Sequence, residues 1–382
     1  MRLAIPKETF PGELRVALVP ESVKRLAAKK LDVSVQAGAG VASCLADANY
    51  AALGATVVDS VESLFGSSDG VVKIRVPTLD EVAKLKEGSV LLSLLYPLVN
   101  TELVHALAAR NITSIAADMI PRTTVAQMMD VLSSQATAAG YQAVLMAATA
   151  LPRFFPMLMT AAGTIAPARV LILGAGVAGL SAIGTARRLG AVVEVFDVRK
   201  VVKEQVESLG AKFVEVDQVE DAQTAGGYAK EVSASDKQRQ TEAIAQHIAK
   251  ADVCITTALI PGKRAPILVS REMVASMKPG SVIVDLAAEQ QGNCELTEPG
   301  KVVEKHGVTI IGEVNFPSRL AMHASQMYSR NMEKLLFHIT KDGVVAIDLK
   351  EEIMAGCVIT HSGEIVHAGV KSVKNKKESA SP

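Results

Sequence analysis

The sequence predicts two doubly wound parallel-sheet α/β domains, the first of them discontinuous. Three observations carry this. Short apolar runs alternate with stretches of helical spacing over the first 120 residues, and again from residue 169 onward. Hydrophobic residues make up 49% of the chain, chiefly Ala, Val, Leu and Ile, which is ample for strands buried on both faces. At 382 residues the chain is also too long for one ordinary core and comfortable for two.

In the first series, strands are expected at residues 3–5, 33–36, 71–73, 89–94 and 112–116, with helical spacing at 20–30 and 79–85 between them. The second series places strands at 170–173, 192–196, 212–216, 253–256, 282–285 and 309–311. Six strands with intervening helices match a Rossmann-like nucleotide-binding domain in number and order. After Pro317 helical spacing resumes to about His338, followed by strand-like pieces at 344–349 and 358–366. The second piece contains Ser362-Gly363, a hairpin turn. This tail is expected to return to the N-terminal domain. The expected domains are therefore 1–135 plus 318–382, and 136–317. Residues 371–382 are polar and lysine-rich, which reads as a flexible end. Residues 217–240 lack apolar periodicity and hold Gly226-Gly227-Tyr228 near their middle. A long irregular insertion in a compact domain reads as a functional mobile loop.

Composition excludes several functions. Lys plus Arg and Asp plus Glu are 40 each, so the net charge is zero and no basic stripe is available to grip nucleic acid. Cys44, Cys254, Cys294 and Cys357 are far apart, the usage of a reduced intracellular protein without a zinc site. The seven histidines are scattered without metal-ligand spacing, and no metal is expected. The opening Met1-Arg2-Leu3-Ala4-Ile5-Pro6 lacks the apolar run of a secretory signal. The most membrane-like stretch, 140–163, is interrupted by Pro152, Arg153 and Pro156, so the chain is not expected to span a membrane by itself. Met157 and Met159, near Phe154 and Phe155, read as core filling.

The cofactor is named by Gly174-Ala175-Gly176-Val177-Ala178-Gly179, which follows the strand ending at Leu173 and leads into a helical run. Gly174 permits the tight turn, Gly176 lets backbone approach a pyrophosphate, and Gly179 lets helix and strand pack closely. The pyrophosphate then meets unpaired amides at the positive end of the helix dipole. The next strand leads into Asp197-Val198-Arg199. Asp197 lies 18 residues past Gly179, where a carboxylate accepts both hydrogen bonds of the adenosine ribose and repels a 2′-phosphate. That favours NAD over NADP, although Arg199 can accommodate such a phosphate.

Hydride transfer between two nicotinamide rings needs stacking and orientation but no proton donor. A set of suitable side chains runs from Pro121 to Gln135. If a helix starts near Thr124, then Gln127, Asp130 and Ser133 lie on neighbouring parts of one face. Asp130 can accept from a carboxamide NH2, Ser133 can donate to its oxygen, and Arg122 can pair with Asp130. Taken alone, the same run reads equally as a solvated helix start with a capping threonine.

The run from Arg122 to Tyr141 resembles the arginine–glutamine–aspartate loop of the NAD(H)-binding component, domain I, of proton-translocating nicotinamide nucleotide transhydrogenase. So do Thr160-Ala161-Ala162-Gly163-Thr164, Gly226-Gly227-Tyr228-Ala229-Lys230-Glu231 and Thr256-Thr257-Ala258-Leu259-Ile260-Pro261-Gly262-Lys263 in their own segments, and the likeness spans nearly the whole chain. The resemblance implies that Arg122, Gln127, Asp130 and Ser133 hold the nicotinamide end of NAD(H), with Gln127 also reaching toward the second nucleotide. It implies that Tyr228 sits on the mobile loop closing over the site, and that Gly227, Gln240 and Leu259 lie near the cofactor. It further implies a homodimer that is cytoplasmic and peripheral to the inner membrane. That dimer docks on an NADP(H)-binding component, domain III, which a membrane component, domain II, links to proton translocation.

Alanine dehydrogenase belongs to the same fold family, and Ile5-Pro6-Lys7-Glu8 followed by Arg15-Val16-Ala17 resembles both. Arg15 and Lys73 match positions at which that enzyme binds its keto acid. Where it has a histidine acid/base, however, this chain reads Leu91-Leu92-Ser93-Leu94-Leu95-Tyr96-Pro97, and its aspartate-glutamine-glycine-glycine run is replaced by Glu289-Gln290-Gln291-Gly292. Amino-acid oxidation without a base loses about 10² to 10⁴ in rate. Arg15 and Lys73 therefore read as structural, paired with carboxylates. The alternatives to a transhydrogenase component are an L-alanine dehydrogenase and a non-catalytic NAD sensor.

Overall fold

The computed structural model describes residues 1–216, 233–259 and 264–372. The chain divides into two compact units, Met1–Gln135 with the segment from Ser318 onward, and Ala136–Pro317.

The first unit opens as β1 (Arg2–Ile5), α1 (Pro20–Ala27), β2 (Asp32–Gln36), α2 (Asp47–Ala52), β3 (Thr56–Val58), α3 (Val61–Gly66), β4 (Gly70–Val72), α4 (Leu79–Lys84), β5 (Val90–Ser93), α5 (Thr101–Ala109) and β6 (Thr113–Ala116). These strands are parallel, in the spatial order β3-β2-β1-β4-β5-β6. The order reverses between β1 and β4, where Leu3 lies opposite both Val33 and Gly70. Leu3, Ala4 and Ile5 are wholly buried because each face of the sheet is covered. Proline begins α1, where its missing N–H costs nothing, and Thr78 caps α4 through a box with Glu81.

Helix α6 (Val131–Ala150) carries the chain into the second unit. There follow an antiparallel ribbon, β7 (Leu158–Thr160) with β8 (Gly163–Ile165), and then β9 (Arg169–Leu173), α7 (Val177–Arg188), β10 (Val192–Phe196), α8 (Lys203–Ser208), β11 (Lys212–Phe213), α9 (Ala234–Ile248), β12 (Val253–Thr256), α10 (Arg271–Ser276), β13 (Val282–Asp285), β14 (Val302–Lys305) and β15 (Val308–Ile311). The main sheet runs β11-β10-β9-β12-β13-β15-β14, parallel except at the β14 edge. It has the same reversal, here between β9 and β12. Ile172 is flanked by Val195 and Ile255 and is wholly buried.

The chain then re-enters the first unit as α11 (Ala321–Ile339), the short ribbon β16 (Thr340–Lys341) with β17 (Val344–Val345), α12 (Glu352–Cys357), β18 (Val358–His361) and β19 (Glu364–Ile365). β18 pairs antiparallel with β6, adding a hairpin to the parallel sheet. Ser362 and Gly363, at φ 50° and 80°, form the two-residue turn that the twist of a hairpin selects.

The differences from expectation have local causes. β3 and β14 lie at sheet edges, half exposed, so their apolar signal is weak. Only residues 344 and 345 of the expected strand at 344–349 pair, in a ribbon outside the sheet. Helix α6 starts at Val131 and not near Thr124, because Asp130 adopts an extended conformation (φ −71°, ψ 91°) after a 3-10 turn at Ala126–Met129. Phe154, Met157 and Met159 are 53%, 57% and 81% exposed and fill no core; of that group only Phe155 is buried. Among the described residues no helix is long and apolar enough to cross a membrane.

Candidate functional site

In the second unit, the glycine turn sits where the β9–β12 reversal opens the sheet, the place at which doubly wound folds take ligands. Gly174 has φ +107°, which disfavours any other residue. A Cβ on Gly179 would lie 1.9 Å from the Gly174 carbonyl oxygen, so glycine alone lets α7 start this close to β9. A Cβ on Gly176 would meet no protein atom within 4 Å. Gly176 is the N-cap of α7, and the N–H groups of the first turn, from Val177, Ala178 and Gly179, lack intrahelical acceptors. Gly174 and Gly179 are thus required by the fold, whereas Gly176 is not. The residues fit a bound pyrophosphate.

Asp197 follows β10 and is tied to this turn. Its Oδ2 accepts from the Ala175 backbone N–H at 2.7 Å. Its Oδ1 accepts from the Arg199 backbone N–H at 2.8 Å and from Arg199 Nε at 2.9 Å, while Arg199 Nη2 donates to Oδ2 at 2.8 Å. The two residues expected to decide between NAD and NADP are therefore paired with each other. Asp197 and Val198 also line a cavity of about 250 Å³ with Phe196, Phe213, Val214 and Gln240. Gln240 is buried on α9, and its Nε2 finds no hydrogen-bond partner among the described residues. A buried amide donor left over beside a cavity fits a polar ring or ribose group.

Of the expected mobile loop, residues 233–240 are the N-cap and first turns of α9, with Ser233 Oγ accepting from the Asp236 N–H. Gly227 and Tyr228 lie outside the described residues. Leu259 is 42% exposed.

The first unit holds the remaining candidates. Asp130 caps α6: Ser133 donates its backbone N–H to Oδ1 at 2.9 Å and its hydroxyl to Oδ2 at 2.6 Å. The helix-start reading is thus the local architecture, with Asp130 rather than a threonine as cap. Arg122 and Gln127 are exposed, and Asp130 and Ser133 are half-buried. The loop is anchored by buried Ala126 and Met129, and by Asn331 on α11, whose Nδ2 donates to the Met128 carbonyl at 2.8 Å.

Around the reversal between β1 and β4 the same unit gathers charge. Arg15 donates to Glu13 through Nε (2.7 Å) and Nη2 (2.6 Å), and through Nη1 to Gln135 (2.8 Å). Lys73 is bound by Glu81 at 2.7 and 2.8 Å. Burial pushes the Glu13 carboxyl up, but the Arg15 hydrogen bond and charge, with Arg75, outweigh it and hold the group down at about 2. Burial pushes Glu8 and Asp118 up. Asp118 accepts from the backbone N–H groups of Leu95 and Tyr96, holding the turn after β5 in which Tyr96 has φ 44°. Arg15 and Lys73 are thus carboxylate-paired, and the segment after β5 carries no histidine.

Three supporting residues escaped sequence reasoning. Thr257 donates to the Leu173 and Gly174 carbonyls, and buried Asn293 binds both backbone groups of Ala258, so each braces the switch point. Asn331 braces the Asp130 loop. Thr257 stands in a largely apolar run, whereas Asn293 and Asn331 have polar neighbours and carry no signal in the sequence.

Known proteins share this architecture. The family model described as alanine dehydrogenase/PNT, N-terminal domain, matches residues 4–139, and its C-terminal counterpart matches 143–368. The chain is 50% identical over 376 residues to an NAD(P) transhydrogenase alpha-subunit chain of Rhodospirillum rubrum, covering 96% of this chain and 98% of that one. A transhydrogenase structure from Sinorhizobium meliloti superposes with a TM-score of 0.88 at 44% identity, covering 96% of this chain and 100% of the other. An L-alanine dehydrogenase structure gives 0.82 at 27% identity, covering 98% and 99%. The chain belongs to the alanine dehydrogenase/PNT family, and within it to the NAD(P) transhydrogenase alpha subunits.

Proposed function

We propose that this chain is the NAD(H)-binding component of a proton-translocating transhydrogenase. It passes hydride directly between its own NAD(H) and an NADP(H) held by a partner component, domain III, while a membrane component, domain II, couples transfer to proton movement. The nicotinamide of bound NAD(H) supplies or accepts the hydride. The amides of the Gly174–Gly179 turn meet the pyrophosphate, Asp197 meets the adenosine ribose, and Gln240 lends its amide nearby. Asp130 and Ser133 orient the carboxamide with Arg122, and Gln127 faces the second nucleotide. Tyr228, Gly227 and Leu259 complete the contacts this reading assigns.

The observation that carries the reading is the Asp130–Ser133 pair. A carboxylate and a hydroxyl are locked together at a helix start, presenting acceptor lone pairs to an amide NH2, beside exposed Arg122 and Gln127, whose guanidinium and amide N–H groups are the donors for its oxygen. The set offers orientation without a proton shuttle, which is all that ring-to-ring hydride transfer demands. The apolar turn after β5 and the engaged Arg15 and Lys73 speak against amino-acid oxidation.

The same reading makes the chain a homodimer, cytoplasmic and held at the inner membrane through its partners. The β7–β8 ribbon supports a self-association surface. No charged residue occurs from Phe154 to Ala168, and residues 159–166 are all exposed. A two-stranded ribbon of that composition is marginal in water unless covered.

Binding is tested by titrating the chain with NADH. Turnover is tested by adding an NADP(H)-binding component with an NADP analogue: the expected result is silence from the chain alone and transfer on reconstitution. NAD reduction by the chain with alanine would overturn the reading.

A further inference from the structure

We propose that Arg199 is an internal competitor for the ribose diol at Asp197, setting both the affinity for NAD(H) and its preference over NADP(H). The proposal rests on the cofactor reading above and goes beyond it by assigning a role to the guanidinium.

A carboxylate offers about four acceptor positions. Asp197 already receives four protein donors: Ala175 N–H and Arg199 Nη2 on Oδ2, and Arg199 N–H and Nε on Oδ1. The two backbone donors are fixed, one by the glycine turn and one by the exit from β10. The two guanidinium bonds belong to a rotatable side chain. A vicinal diol that donates twice to this carboxylate therefore takes the positions of Nε and Nη2, and the guanidinium has to leave. Arg199 is also the member with a route to water, its side chain being 16% exposed against 5% for Asp197.

Two consequences follow with opposite signs. Every NAD(H) that binds first breaks a charge-assisted fork, so Arg199 lowers affinity for the diol. While present, its positive charge also offsets the carboxylate and softens the repulsion of a 2′-phosphate. Arg199→Ala removes both effects at once.

The test is fluorescence titration of wild-type chain and Arg199→Ala with NADH and with NADPH, beside their melting curves. The expected result is NADH binding tighter by about tenfold, the net worth of one charge-assisted bond. NADPH should bind no tighter, so the ratio between the two nucleotides widens. Unchanged or weaker NADH binding, or an equal shift for both nucleotides, overturns the proposal while leaving the cofactor reading intact. Wild-type chain that binds no NADH sinks the cofactor reading itself. If the alanine variant does not fold, Arg199→Lys serves, since it keeps the charge but not the fork: NADH should still tighten, and an unchanged value overturns the proposal.

Discussion

The Glu13 carboxylate grips the Arg15 guanidinium through hydrogen bonds of 2.7 and 2.6 Å, with side-chain exposures of 0% and 4%. Two charges so far from water are tolerated only because each satisfies the other. Arg75 and the Ser318 hydroxyl also bond the carboxylate at 3.0 and 3.1 Å, so this pair ties the first residues of the chain to the segment that returns to the same unit.

Acid should find this pair. Because Glu13 is held at about 2 in the fold against an ordinary value of 4.5, the ionised form is bound more tightly folded than unfolded. The stabilisation is therefore fully present above about pH 4.5 and lost as pH falls from there toward 2. Glu13→Gln takes from buried Arg15 the carboxylate bonded to it and should cost about 3–5 kcal/mol at neutral pH. Denaturant unfolding at pH 6 and pH 3 checks both statements: the variant should lose stability at pH 6, and the gap to wild type should narrow at pH 3.

Two glycines of one turn should respond differently. Gly179→Ala drives a Cβ into the Gly174 carbonyl and should lower the melting temperature. Gly176→Ala meets only open space within the protein and should fold normally. Its NADH affinity should nevertheless fall by about tenfold or more, because the added methyl stands where the pyrophosphate must approach. Paired melting and titration separate the two, and normal NADH binding by Gly176→Ala would remove the turn from the cofactor site.

Asp130→Asn is designed to spare the fold, since asparagine caps a helix about as well as aspartate. It exchanges one acceptor oxygen for a donor where the carboxamide NH2 is expected. Reconstituted hydride transfer should fall by about tenfold to a hundredfold, on the scale of one lost charge-assisted bond. The melting temperature should barely move. Unimpaired transfer would reduce Asp130 to a cap.

Met159→Asp places a charge on the most exposed apolar side chain of the β7–β8 ribbon. If the ribbon is covered by a second copy, sedimentation should show the dimer weakened toward monomer, with NADH binding by the monomer retained. A dimer as tight as wild type would place the interface elsewhere.

Much of this fold was legible because buried parallel strands announce themselves: residues 192–196, 253–256 and 282–285 are largely apolar runs, and all three expected strands matched residue for residue. Edge strands such as Thr56–Val58 are half in water and carry no such signal. The glycine turn was legible for the same reason that it is constrained, as the φ of Gly174 and the 1.9 Å approach at Gly179 admit little else. The start of α6 was not. Helical spacing of Gln127, Asp130 and Ser133 suggested one continuous face, but Asp130 is more stable capping the helix from outside than lying within it. The Asp197–Arg199 fork was equally hidden, since two residues apart on a strand exit nothing in spacing says whether they meet.

The most direct measurement follows the hydride itself. The chain, reconstituted with its NADP(H)-binding component, is given NADH carrying deuterium at the transferable position of the nicotinamide, together with an NADP analogue. Direct ring-to-ring transfer delivers the deuterium quantitatively to the reduced analogue, with none lost to water and no requirement for an amino or keto acid. Deuterium appearing in solvent, or turnover that depends on such an acid, would contradict it.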